Sequence, residues 1–112
     1  MVDNEDIKGI LGYVTEPVRN EVVAVGVTSV MVSQQRIGLQ PRKFYWIRNT
    51  STLATQIITI NLGNNPAVAG TGIVLNQNES FMDSTGEGYQ CFQGIITGIS
   101  AVAGGQIAMV ER

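Results

Sequence analysis

The sequence contains no histidine and a single cysteine. Without histidine the commonest general base is missing, and so is any Ser-His-Asp or Cys-His arrangement for nucleophilic catalysis. One cysteine, Cys91, cannot form an intrachain disulfide, and no zinc-ligand spacing exists. It lies in YQCFQ with no cationic neighbour to activate it, so a buried structural thiol is expected. Charge is scarce too: charged residues make up 14% of the chain, well under the usual quarter, so much of the surface must be neutral and polar. A net charge of −2 with no sustained Lys/Arg run lacks the electrostatic footprint of a nucleic-acid binder. No apolar run reaches membrane-spanning length, and MVDNEDIKG has neither a basic nor an apolar signal region, so neither membrane insertion nor a secretory signal is expected.

The remaining routes to chemistry are thin. Beyond Glu21 the carboxylates are Glu79, Asp83, Glu87 and Glu111. Asp83 flanks the turn STGEG and Glu87 lies within it, where solvated acids are the norm, and a calcium site there would want several more oxygens. The glycine strings AGTGI and TGEGY lack both the following helix and the GK[ST] ending of a phosphate loop. The expectation is a protein that is not an enzyme and uses no cofactor or metal.

What the sequence does have is β pattern. VVAVG, TSVMVSQQ, RKFYWIRN, TQIITINLG, GIVLN, ESFMDS, YQCFQGIITGIS and GQIAMVER are short, rich in β-branched and aromatic residues, and separated by Gly/Asn/Pro turn signals. Ile58, Ile60 and Leu62 share one face of their strand, Thr59 and Asn61 the other. Seven or eight such strands predict an all-β antiparallel sandwich of jelly-roll type over residues 21–112. In FYWIRN, Phe44, Trp46 and Arg48 fall on one side and Tyr45, Ile47 and Asn49 on the other. Both sides carry aromatic groups; Phe44 and Trp46 are expected in the core, with Arg48 marking the strand's exit into solvent.

Residues 1–20 differ from the rest. They carry Asp3, Glu5, Asp6 and Glu16 against Lys8 and Arg19. IKGILGYV holds Gly9 and Gly12, which argue against a stable helix, and Pro17 biases Glu16 to extended geometry. The segment reads as an extended N-terminal arm whose apolar groups, Ile7, Ile10, Leu11, Tyr13 and Val14, need a surface to lie on. That surface is either their own domain or a neighbouring subunit.

The segment order PRKFYWIRNTS, IITINLG, AVAGTGIVLNQNESF and GYQCFQGIITGISAVAGGQIAMVE resembles a recurrent class of small phage virion structural proteins. The matching positions are Arg48, Asn49 and Ser51, then Leu62 and Gly63, then Gly72, Ile73 and Leu75. They continue with Gly94, Ile95, Gly98, Ile99 and Ser100, and close with Gly105, Ile107, Val110 and Glu111. The resemblance implies a β-sandwich subunit of a virion, assembled in the host cytoplasm, of capsid decoration, vertex or head-fibre type. It also implies partners: a homo-oligomer, trimer or pentamer, and other virion proteins such as the major capsid protein. The alternative from another class is a carbohydrate-binding sandwich, with Tyr45, Trp46 and Tyr89 as candidate stacking faces and a host glycan as ligand.

Overall fold

The computed structural model describes residues 18–36 and 41–112. The arm residues Ile7, Ile10, Leu11, Tyr13 and Val14 therefore lie outside the described residues. Eight strands follow in chain order: β1 (Arg19–Val25), β2 (Val30–Ser33), β3 (Phe44–Asn49), β4 (Ile58–Leu62), β5 (Ile73–Leu75), β6 (Ser80–Ser84), β7 (Ile96–Ser100) and β8 (Gly105–Glu111). The described residues contain no helix. β1 starts at Arg19, so Arg19 and Asn20, grouped with the arm on charge, belong to the first strand.

The strands form two antiparallel four-stranded sheets, ordered β1-β8-β3-β6 and β2-β7-β4-β5. Their pairings nest: β4 with β5, β3 with β6, β2 with β7, β1 with β8. A long hairpin rolled on itself gives this order, and two further pairings, β3 with β8 and β4 with β7, complete the sheets. This is the jelly roll that strand count and turn spacing predict.

Alternation along each strand divides core from exterior. Val25, Tyr45, Ile47, Ile107 and Met109 of the first sheet meet Val32, Ile58, Ile60, Leu75 and Ile96 of the second in one apolar core. Ile58 and Ile60 face inward as the period predicts. The stretch YQCFQGIITGIS contributes only its last five residues as strand. Its first half is held by side chains instead: the Arg42 backbone N–H donates to Gln93 Oε1, and Gln93 Nε2 donates back to Arg42 O at 2.7 Å. That amide occupies both backbone groups of Arg42 as a neighbouring strand would. Cys91 is buried there, donating to Arg42 O.

The expected orientation of β3 is reversed. Tyr45, Ile47 and Asn49 are fully buried, while Phe44, Trp46 and Arg48 lie half-buried on the outward side. Inside, Asn49 is satisfied by backbone: its Nδ2 donates to Gln56 O and Leu75 O, and its Oδ1 accepts from Ser51 N–H. A short amide can be buried when every polar atom finds a partner.

Candidate functional site

Two constellations stand out, one buried and one on the surface. The buried one surrounds Glu111, which continues the inward series Ile107, Met109 of β8 and is only 3% exposed. Arg42 Nε donates to its Oε2 at 2.7 Å, Arg36 Nη2 to its Oε1 at 2.6 Å and Arg19 Nε to its Oε1 at 3.0 Å. Ser33 Oγ adds a bond at 3.1 Å. Arg42 is itself buried, with Nη1 donating to Phe92 O, Nη2 to Ser33 Oγ and Gln34 O, and its guanidinium 5.4 Å from the centre of the Tyr45 ring. Burial pushes the Glu111 carboxyl up, but the hydrogen bonds from Arg42, Arg36 and Arg19 outweigh it and hold the group at about 2. A carboxylate so weakly basic cannot take a proton near neutrality. The cluster joins β1 and β8 of one sheet to the end of β2 in the other. Sequence reading missed it, although an acid in phase with Gly105, Ile107 and Met109 is a usable signal.

Beside it, Asp83 is half-buried between two tyrosines. Its Oδ2 accepts from Tyr45 Oη at 3.2 Å and its Oδ1 from Tyr89 Oη at 2.9 Å. Burial, then the Asp83 charge, raises the Tyr45 phenol well above its usual range; the hydrogen bond to Asp83 raises that of Tyr89. Asp83 is thus a structural acceptor and not the freely solvated turn acid that its place beside STGEG suggested.

The surface constellation is the outward face of the first sheet. Register aligns Asn20, Val110, Trp46 and Met82 in one row across all four strands, and Val22, Ala108, Arg48 and Ser80 in the next. Val22 is 66% and Met82 62% exposed. A shallow hollow at one edge is lined by Val22, Ala24, Gly104, Gly105 and Gln106. Among the described residues, no strand position on this face is a carboxylate, and Arg48 Nε is buried without a hydrogen-bond partner. Such a patch of apolar side chains marks a contact surface more often than it marks chance exposure.

Of the three candidate stacking aromatics, the structure keeps two accessible and separates them. Tyr45 is fully buried and is removed from the set, because its position in β3 points between the sheets. Trp46 sits on the outward face and Tyr89 in the loop after β6, bonded to Asp83. They do not form one platform.

No protein-family model matches the chain, and no curated protein matches it.

Proposed function

We propose that this chain is a non-enzymatic structural subunit of a bacteriophage particle. In this reading it is a capsid accessory of decoration, vertex or head-fibre-base type, which assembles as a homo-oligomer and docks through its N-terminal arm. The observation that carries the reading is the outward face of the first sheet. It presents Trp46, Met82 and Val110 in register, with Val22 in the adjacent row, on a jelly roll whose most elaborate polar cluster is spent on holding its own sheets together. A rigid sandwich with one open apolar face works by contact, and closed symmetry around a capsid axis makes a trimer or pentamer the natural copy number. The phage assignment itself rests on the segment resemblance, with the major capsid protein as the expected neighbour.

A carbohydrate-binding role loses support with Tyr45 in the core, because one of its three candidate stacking faces is not accessible. Sedimentation of the purified protein, together with its search in purified particles, tests the reading. A discrete oligomer that co-purifies with particles is expected; a monomer that is absent from particles and binds glycans would overturn it.

A further inference from the structure

The connection from β4 to β5, residues 63–72, lies across the outward face of the second sheet and is held there by polar contacts. Gly70 N–H donates to Thr59 Oγ1 at 2.9 Å and Ala67 N–H to Ser29 Oγ at 2.8 Å, while Asn65 O accepts from Thr97 Oγ1 at 3.2 Å and from Asn61 Nδ2 at 2.8 Å. Within the segment Ala67 alone is buried, and Val68 is 59% exposed. Its middle closes a turn of its own, Thr71 N–H donating to Val68 O at 2.9 Å. Glycines in the left-handed region stand at both ends: Gly63 at φ +140°, Gly70 at +81° and Gly72 at +140°. We propose that residues 63–72 form a hinged strap, which opens and closes over the second sheet as one unit while the sandwich stays folded.

Opening is cheap because it leaves nothing worse solvated. Each anchor on the sheet is a hydroxyl or an amide that water can serve in the strap's place, so release strands no buried donor or acceptor. With Ala67 as the one buried side chain, the apolar burial that holds the two sheets together hardly acts on the strap. Glycine at each end supplies the backbone freedom that a hinge needs. The internal turn ties the tip together, so Ala67 and Gly70 leave the sheet in one movement. What opening uncovers is specific. Thr59 and Thr97 are buried although they point outward, and they stand in the rows Val74, Thr59, Ile99 and Asn61, Thr97, Met31. With the strap closed, exposed Val74 and Met31 lie apart on the two edge strands; with it open, they belong to one continuous face. The strap thus governs access to that face, and it does so whether or not the chain serves in a virion.

Hydrogen exchange on the full chain tests the strap. The amides of Ala67 and Gly70 should share one protection factor, above that of free chain yet at least roughly a hundredfold below that of the β4–β7 ladder. They should keep it in low urea, because their opening exposes little surface. Thr59→Val removes the acceptor of Gly70 and keeps the branched shape; it should speed exchange at both amides roughly tenfold and leave the ladder unchanged. Access is read separately: the thiol of Thr97→Cys should be alkylated through the same opening, while Cys91, 1% exposed in the core, stays unreacted. Ala67 and Gly70 as protected as the ladder, or a Thr97→Cys thiol that reacts only together with Cys91, would overturn the strap in favour of a fixed part of the fold. Exchange with no protection would mean that no closed state exists, and a Thr59→Val effect confined to Gly70 would mean fraying bond by bond; either also overturns it. The comparison of Ala67 and Gly70 with the ladder needs no substitution, so it decides the matter even where a variant fails to fold.

Discussion

The two sheets treat their outward faces in opposite ways. On the second sheet the β4–β5 connection, residues 63–72, folds back over the strands and is tied down by polar bonds. Gly70 N–H donates to Thr59 Oγ1 at 2.9 Å, Thr97 Oγ1 donates to Asn65 O and Ala67 N–H donates to Ser29 Oγ at 2.8 Å. Thr59 and Thr97, though outward-facing, are consequently buried. On the first sheet nothing among the described residues does the same for the Trp46 row. One face is partly covered by the fold's own loop, with Met31 and Val74 still exposed on it, and the other is covered by no loop among the described residues. A threonine-rich outward strand invites a covering loop because its hydroxyls can satisfy loop backbone groups; an apolar outward strand offers no such anchors and gains only from apolar cover.

The change with the largest expected effect strikes both faces alike, by removing what holds the sheets together. Glu111→Ala leaves buried Arg42 without its carboxylate, and the cost should be about 3–5 kcal/mol in urea unfolding. A loss below about 1 kcal/mol would mean that the cluster is not the clasp between the sheets. Acid probes the same clasp. Glu111 titrates lower in the folded state, at about 2, than its ordinary 4.5, so its contribution is present above about 4.5 and fades as pH falls toward 2. Glu111→Gln should remove that portion of the acid sensitivity, as seen by comparing unfolding midpoints at neutral and acid pH.

The next change sharpens the contrast by acting on the closed face alone. Gly72 has φ +140°, and a Cβ there would lie 2.5 Å from Ile60 O. Gly72→Ala should cost about 1–3 kcal/mol and raise hydrogen exchange at Gly70 while leaving the Trp46 emission of the dissociated protein unchanged. A shift in that emission would show that the two faces are not independent. The smallest effect is expected on the open face: Met82→Lys should change stability by no more than about 0.5 kcal/mol, since the side chain already points to water. A large loss on thermal melting would show that the face is part of the core after all.

Much of the sandwich was legible in the sequence because the signal that defines it is local. Two-residue alternation, as in Ile58, Thr59, Ile60, survives without tertiary context, and turn glycines mark where it stops. Two kinds of information were not local. In FYWIRN both sides are apolar, and the choice between them depends on whether Asn49 or Arg48 finds partners inside; the partners, Gln56 O and Leu75 O, come from distant segments. The clasp likewise gathers Arg19, Arg36, Arg42 and Glu111 from opposite ends of the chain, so no window of sequence contains it. The candidate surface was less legible: Trp46 was expected in the core and entered as a contact aromatic only under the carbohydrate alternative, and its neighbours Val110 and Met82 come from β8 and β6 and meet it only through register.

The nested pairing also sets an order of events during synthesis. β8 stands between β1 and β3 and is the last of the eight strands to leave the ribosome, so β1 emerges with no mate and must wait for almost the whole chain before it can join a sheet. Such distant closures are slow. Val110 arrives with that final strand, so until then the row through Trp46 lacks the residue that stands between Asn20 and Trp46, and the first sheet cannot present its finished outward face.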